Sequence, residues 1–291
     1  MLFKTQSAAL LAIAVLFGSC QSHAESSSAN LMNATTSHFN KVMIVFYENQ
    51  GYSAAMAQPF FKSLSERGAL LTNFYAEAHP SQANYIAMVS GGMHGVTGDA
   101  NYDLDKNHIG DLLEAKGKTW KNYAEGYPGN CFQGATKGRY VRKHVPFISF
   151  KNIQSNPARC AKIVPATQLA LDVTNGTLPD FSFYSPDLDN DGHDTGIAFA
   201  DKALRKTFEP LINNPAFMDG MLLIITFDED DRHEGNKIYS VLIGKGVKPG
   251  STDGTLNNHY GLLRTIENEF GLGTLQQNDE RAVPIHGIWN Q

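Results

Sequence analysis

Positive charge is scarce in this chain. Across 291 residues, 24 Lys and Arg face 29 Asp and Glu, for a net charge of -5, and no basic run occurs. Nucleic acid, whose phosphate backbone calls for clustered cations, is therefore not an expected partner. Long apolar runs are missing too: past the first two dozen residues nothing approaches the ~18 continuous apolar residues of a membrane helix. No transmembrane segment is predicted. Cysteine is rare, with 3 residues in all, and neither Cys131 nor Cys160 has a second metal ligand close by in sequence, which argues against a zinc site on them. The G-x-S-x-G turn of serine hydrolases is absent, so acyl transfer by a Ser-His-Asp triad has little support. No internal repeat is visible.

Apolar material, by contrast, is plentiful. Hydrophobic residues make up 42% of the chain and charged residues 18%, with 17 Phe and 11 Tyr, a composition that builds a core and is far from that of a disordered chain. Lys4, the apolar stretch Ala8–Phe17 and the small residues Ser22 and Ala24 have the order of a secretory signal, predicted over residues 1–24. A rival reading cleaves before Cys20 and lipidates it, although Phe17 is an unusual residue for such a site. Export to a secreted or periplasmic location would place Cys131 and Cys160 in an oxidising compartment, where they are expected to pair; two free thiols are the alternative. Residues 25–40 are rich in Ser, Asn and Thr and read as a flexible leader. Residues 41–291 then form one domain.

Its pattern is that of alternating strands and helices. VMIVFY at 42–47 and MLLIITF at 221–227 are continuous apolar runs, the signature of strands covered on both faces. Further strands are predicted at 69–75, 119–124, 180–184 and 238–243. Helices are predicted from Pro59 to Arg67, from Ser81, over 107–116, 167–175 and 194–212, and from His259 to Phe270 before Gly271. This rhythm predicts an α/β fold with a doubly wound, mostly parallel central sheet and helices on both faces. The Gly-rich region 126–160 reads as a small inserted cap.

In an open parallel sheet, functional groups collect beyond the carboxyl ends of the strands. Glu48-Asn49 follows the first apolar strand directly and Asp228-Glu229-Asp230-Asp231 follows the second, so two distant segments deliver oxygen ligands to one edge. Such a cluster suits a hard or borderline divalent cation, with Mg, Mn, Ca and Zn all open; ordinary acidic turns are the plainer reading of either segment alone. Between them, Ser81 opens a helix, where backbone N–H groups favour an anion such as a phosphoryl group on its own hydroxyl. A simple helix cap is the other use of that serine. Asp187-Leu188-Asp189-Asn190-Asp191-Gly192-His193-Asp194 begins like a calcium loop, but its twelfth position is Ala198 where a bidentate Glu is required. His193 on that Gly-hinged turn is better placed as a ligand to metal or phosphate, and His144 and His259 are two further candidates.

Taken in order, Glu48-Asn49, HPSQANYIAMVSG, Tyr140–Pro146, SPDLDNDGHD, TFDEDD and NNHYGLLRTIENEFGLG resemble the bacterial phosphoesterase family of acid phosphatases and phospholipases C, within the alkaline-phosphatase-like superfamily. The resemblance runs from about residue 41 to 288. It implies that Glu48, Asn49, Asp228 and Glu229 hold one divalent metal ion and that Ser81 is the nucleophile, its oxygen also a metal ligand. It further implies that Asn84, His144, His193 and, less directly, His259 bind the phosphate of the substrate. Phospholipases C of that family are generally longer and carry C-terminal β modules, which have no counterpart after Trp289.

The resulting expectation is a secreted, metal-dependent phosphoric ester hydrolase, an acid phosphatase that cleaves phosphomonoesters through a phosphoserine. A phospholipase C acting on phospholipid head groups is the near alternative. A non-catalytic, metal-stabilised binding protein is the alternative of another class, and a hydroxyl at Ser81 is the feature that such a protein would not need. The residues leave the natural substrate and oligomeric state open.

Overall fold

The two longest apolar runs become the two central strands. In the computed structural model, which describes residues 37–290, the sheet strands are β1 (Lys41–Tyr47), β2 (Ala69–Leu71), β3 (Trp120–Ala124), β4 (Ile163–Pro165), β5 (Phe181–Ser185), β6 (Met221–Phe227), β7 (Ser240–Gly244) and β8 (Ser251–Asp253). The signal segment, the Cys20 alternative and the leader up to residue 36 lie outside the described residues. Among the described residues the strands form one 8-stranded sheet in the order β8-β2-β7-β6-β1-β5-β3-β4. All its pairings are parallel except those of β7, which runs against both β6 and β2. The predicted α/β architecture with a mostly parallel sheet is what forms.

The helices that pack on this sheet include α1 (Pro59–Arg67), α2 (Gln82–Ser90), α3 (Ile109–Ala115), α4 (Gln168–Asn175), α5 (Ile197–Ile212) and α6 (His259–Phe270). Alternation along β1 decides which helices go to which face. Phe46 meets Tyr85 of α2 and His259 of α6, whereas the next residue, Tyr47, meets Phe61 of α1. Helices therefore cover both faces, and β1 and β6 are buried along nearly their whole length.

Several details differ from the sequence reading, each for a local reason. The predicted strand 69–75 breaks after Leu71; Phe74–Tyr75 then pairs with Asn257–Asn258 in a separate two-stranded piece. Helix α5 starts at Ile197 rather than 194, because Asp191–Gly196 are spent on a tight turn with both glycines at positive φ. Edge strands β4 and β8, each of 3 residues, carry too few apolar positions to be read from the sequence. Within Ser37–Asn40, read as part of the leader, two residues are packed: Phe39 is buried against Phe270 and the His38 ring stacks on Trp289.

The cap holds a two-strand hairpin, Thr136–Lys137 with Tyr140–Val141, and the disulfide Cys131–Cys160, with Cα atoms 5.6 Å apart. The bond lies across a sequence separation of 29. In the chain-entropy account, a loop of that size stabilises by about 3 to 4 kcal/mol. Cys131→Ser with Cys160→Ser should lower the unfolding free energy by that order, and reductant should lower wild type alone; equal urea midpoints for both proteins would refute it.

The other end of the fold contains a buried acid pair. The Asp279 carboxylate accepts the N–H groups of Leu275 (2.6 Å) and Gln277 (2.9 Å) beside the buried side chain of Glu267 on α6. Burial first, then the Asp279 charge, pushes the Glu267 carboxyl up to about 9, against a smaller opposing pull from Arg264. The folded protein thus keeps a proton that the unfolded chain loses from about pH 4.5. Stability from this group is complete below that pH and declines as pH rises toward the folded value. Glu267→Gln should flatten this decline. Urea unfolding at acid and mildly alkaline pH checks it, and an equal loss in both proteins would count against the assignment.

Candidate active site

Strand register brings the acids together. β1 and β6 pair in parallel with Tyr47 opposite Phe227, so the next residues, Glu48 and Asp228, leave the sheet side by side at its carboxyl edge. Neighbouring strands lie about 4.8 Å apart, so the two chains deliver their carboxyl groups within one shared volume. The backbone seals the junction. Asp228 N–H donates to the Tyr47 carbonyl (2.9 Å), and Asn49 N–H donates to Asp228 Oδ1 (2.9 Å). Asn49 adopts φ 52°, a conformation that asparagine tolerates better than most residues, and its amide NH2 donates to Glu48 Oε2 at 3.0 Å.

Ser81 stands at the start of α2, 2% exposed. Its hydroxyl does not cap the helix. It donates instead to Glu48 Oε2 at 2.8 Å, while the first helical N–H, that of Gln82, is taken by Asp99 Oδ1 at 3.1 Å. The simple-cap use of this serine is therefore not the one the structure adopts.

Glu48, Asp228 and Glu229 are all buried. Burial, followed by the charges of Glu48 and Glu229, holds the Asp228 carboxyl well above the usual carboxylate range. Burial and the Glu48 charge raise Glu229 in the same way. For Glu48 burial acts upward, but His144 beside it, helped by Lys143, pulls its carboxyl below the ordinary value. Glu48 Oε1, Asp228 Oδ2 and Glu229 Oε2 have no hydrogen-bond donor among the described residues. Among the same residues no three His, Cys, Asp or Glu side chains are grouped closely enough to hold a metal ion by themselves. What the hydrogen bonds join is Glu48, Asp228, the Ser81 hydroxyl and Asn49, all oxygen-bearing groups of the kind a hard divalent cation takes, with unpartnered oxygens on Glu48 and Asp228.

The histidines read from the sequence have different fates. His144 is 1% exposed and wedged between two carboxylates, with Nε2 3.0 Å from Glu48 Oε1 and Nδ1 3.1 Å from Asp191 Oδ2. These are close charge contacts whose angles fall short of aligned hydrogen bonds. His259 has both nitrogens engaged, Nδ1 with Glu77 Oε2 (2.5 Å) and Nε2 with the Phe227 carbonyl (2.9 Å). It ties the loop leading to Ser81 to the end of β6 rather than facing the acids. His193 keeps a 35% exposed side chain, with Nδ1 on Asp194 (2.6 Å) and Nε2 without a partner among the described residues. Its ring lies 6.2 Å from that of His144.

Asn84 is likewise occupied. Its Oδ1 accepts the N–H groups of Glu77 and Ala78, both at 3.0 Å, and its NH2 donates to the Ala78 carbonyl at 2.8 Å. The polar capacity of this buried side chain thus goes to shaping the loop that presents Ser81. Within the DLDNDGHD segment Asp187 Oδ1 accepts from Asp189 and Asn190 N–H and Asp191 Oδ1 accepts from His193 N–H, while Asp189 and Asp194 face Arg139 and Asp191 Oδ2 faces His144. It forms a hydrogen-bonded turn, not a calcium loop.

Other site residues escaped the sequence reading. Asp191 sits behind His144. Lys143 Nζ pairs with Asp99 (2.8 Å) on the other side of the α2 start. His79 lies between Glu229 (2.9 Å) and Asp230 (3.2 Å). The signal for Asp191 was present in the acidic turn, but a calcium motif with a failed twelfth position does not say which of its acids turns inward. A cavity of about 630 Å³ lined by Tyr75, Leu256, Tyr260 and Val283, among others, contains none of the acidic residues of the cluster.

The sheet order and the position of the acids define a class. A protein of the alkaline phosphatase superfamily from Vibrio parahaemolyticus superimposes with a TM-score of 0.60 over 85% of this chain and 71% of its own, at 13% identity, which establishes the fold alone. The profile of the phosphoesterase family matches residues 20–273, and the chain belongs to that family. A probable acid phosphatase of Kluyveromyces lactis is 37% identical over 87% of this chain and 63% of its own length. An acid phosphatase of Aspergillus fumigatus is 36% identical over 87% and 60%. A phosphatidylinositol-3-phosphatase of Mycobacterium tuberculosis is 34% identical over 86% and 83%. The chain thus spans about three fifths of the two fungal relatives' length.

The bonding of Asn84 has a direct consequence. An aspartate at this position would be nearly isosteric but would set a carboxylate oxygen against the Ala78 carbonyl. Asn84→Asp should therefore cost about 1 to 3 kcal/mol of stability, the range for an unpaired buried polar group. Thermal and urea unfolding measure it; an unchanged midpoint would show that the amide does not hold the loop.

Proposed function

We propose that this protein is a metal-dependent phosphomonoesterase of the acid phosphatase type that passes the phosphoryl group through Ser81. One observation carries the reading. A buried serine at a helix start gives its hydroxyl to a carboxylate in an acidic cluster instead of capping the helix. A binding protein has no use for that arrangement, whereas a nucleophile needs its oxygen fixed and its hydrogen directed away from the incoming phosphorus. The phosphatase names of the relatives support the same class.

Glu48, Asn49, Asp228 and Glu229, with Ser81, would hold the divalent ion, which when bound supplies charge stabilisation for the phosphoryl oxygens and lowers the affinity of the Ser81 oxygen for its proton. Glu48 Oε2 accepts the Ser81 hydrogen bond and so aims a lone pair outward. Ser81 Oγ passes its proton to Glu48 Oε2 and forms a new O–P bond as the ester O–P bond breaks on the opposite side; the alcohol leaves with a proton from water, and a second water then cleaves the phosphoserine to phosphate and Ser81. His193, with its available Nε2, is the histidine best placed to meet a phosphate oxygen. Asn84, His144 and His259 act by holding the loop, Glu48 and the strand end in place.

Export of the protein is supported by its signal-like first 24 residues and by the disulfide. The rim of the site carries Lys143–Asp99, His193–Asp194 and Arg139–Asp189 pairs, a charged edge that suits a small, soluble phosphomonoester better than a bilayer-embedded diester. A second substrate class, a phosphorylated inositol head group, is favoured by the Mycobacterium tuberculosis relative, of which 83% is covered.

Ser81→Ala tests the central claim. Loss of one hydroxyl hydrogen bond changes stability by about 1 kcal/mol. Hydrolysis of p-nitrophenyl phosphate should nonetheless fall by several orders of magnitude. Acid-quenched wild-type protein should carry phosphate on the peptide containing Ser81, and chelator should abolish turnover. Near-normal turnover by Ser81→Ala, or phosphate on a histidine, would overturn the mechanism.

A further inference from the structure

Three buried side chains from three separate segments line up behind the proposed nucleophile. Asp191 Oδ2 lies 3.1 Å from His144 Nδ1, His144 Nε2 lies 3.0 Å from Glu48 Oε1, and Glu48 Oε2 accepts the Ser81 hydroxyl at 2.8 Å. Asp191 and Glu48 are 0% exposed, His144 1% and Ser81 2%. We propose that Asp191 is a positioning residue for the phosphoryl-transfer reaction, acting through His144 and Glu48 on the Ser81 hydroxyl. The proposal rests on the reading of Ser81 as nucleophile.

Asp191 is held more firmly than a turn residue requires. Its N–H donates to the Asp187 carbonyl (2.8 Å), its Oδ1 accepts the His193 N–H (2.8 Å), and its own carbonyl accepts the Glu48 N–H (3.1 Å). One residue therefore fixes the backbone of Glu48, the backbone of His193 and the ring of His144. The ring is further limited by Tyr85, which stacks on it at 5.1 Å with an interplanar angle of 4°. Stacking sets the plane of the imidazole but leaves it free to turn over within that plane. The Asp191 carboxylate removes that freedom, because it attracts the Nδ1 edge and so directs Nε2 toward Glu48.

Glu48 needs such a neighbour. Its Oε2 serves both Ser81 and the Asn49 amide, His144 Nε2 approaches Oε1, and the Tyr85 hydroxyl also lies beside the carboxyl. A carboxylate anchored at one oxygen alone can swing, and a swing of even ~1 Å in a catalytic group is costly. Residues that orient metal ligands and nucleophiles from behind characteristically change activity by about 10- to 100-fold when altered.

A turn-only role makes a different demand, and asparagine separates the two. Asp191→Asn keeps the oxygen that accepts the His193 N–H and keeps the fold around Gly192, whose φ of 96° is independent of the preceding side chain. It replaces the oxygen facing His144 by an NH2 group, which repels a ring N–H. Asp191→Ala removes both contacts.

The experiment uses the full chain with p-nitrophenyl phosphate as substrate. Asp191→Asn is expected to unfold at the wild-type temperature, to lose about 10- to 100-fold in kcat at nearly unchanged KM, and to lose nothing further when placed in a His144→Gln background. Histidine-selective 15N spectra should show the His144 ring signals moved by Asp191→Asn and those of His259 unmoved. Wild-type kcat in Asp191→Asn with impairment only in Asp191→Ala would reduce Asp191 to a turn residue. Failure of Asp191→Asn to fold, or full additivity with His144→Gln, would equally overturn the proposal. A wild-type protein inactive on phosphomonoesters would instead overturn the phosphatase reading; the 15N spectra would then decide, without any activity, whether Asp191 sets the ring of His144.

Discussion

The mutual repulsion of acids buried at the carboxyl edge of β1 and β6 governs the rest of this structure. Glu48 and Asp228 leave adjacent parallel strands in register, and Glu229 follows immediately. Two unit charges ~5 Å apart at an effective dielectric of ~20 repel by about 3 kcal/mol, and removal from water adds a desolvation cost on each. The upward displacement of the Asp228 and Glu229 carboxyls is the direct expression of that desolvation and repulsion. The surrounding protein offsets it only in part. One imidazole, His144, and one amine, Lys143, face Glu48, and His79 faces Glu229. A residual demand for positive charge is thus built into the sheet edge.

That demand can be sustained because the strands bearing it are the best packed in the fold. Val42 to Phe46 and Met221 to Phe227 are essentially inaccessible to solvent, with Phe46 and Tyr47 sending aromatic rings to opposite helical layers. Such strands stabilise by about 1.5 to 3 kcal/mol per large side chain buried. The elements added at the periphery work in the same direction. The disulfide closes the cap on itself, and Arg159 with Asp111 and Glu114 ties α3 to the segment before β4. His259 is the internal link between packing and chemistry, since it joins Glu77, just ahead of Ser81, to the last residue of β6.

Legibility in the sequence followed how local each determinant is. VMIVFY and MLLIITF announce buried strands by themselves, and α6 runs from His259 to Phe270 before Gly271 as predicted, with Asn258 capping its start in the structure. The candidate ligands Glu48 and Asp228 could be read because position after a strand is itself a statement about the sheet edge. Edge strands β4 and β8 could not, because a short strand at the rim is made by its neighbour's free backbone groups rather than by its own residues. Side-chain destination was the harder matter. Asn84 and His259 look alike as polar residues near a predicted site, yet each is consumed by backbone that lies close only after folding. Asp191 was hidden for the converse reason: among several acids in one turn, burial picks out one, and burial depends on His144 from a segment remote in sequence.

The same logic bears on which surface a substrate can reach. Ser81 is nearly closed off from solvent, His144 and Asp191 shut its rear, and α2 carries its first N–H to Asp99. Approach is left to the side where Asn49 is partly exposed and His193 keeps a free nitrogen. On the proposed function, a phosphoryl group would enter from that side with its alcohol left among the charged pairs of the rim. On that same proposal, those pairs would bind each other rather than any one alcohol, so the protein's contacts would be directed at the phosphate and would leave the leaving group weakly specified. Selectivity toward a particular ester then has to come from what the rim excludes, and a rim of opposed charges excludes apolar chains more effectively than polar ones.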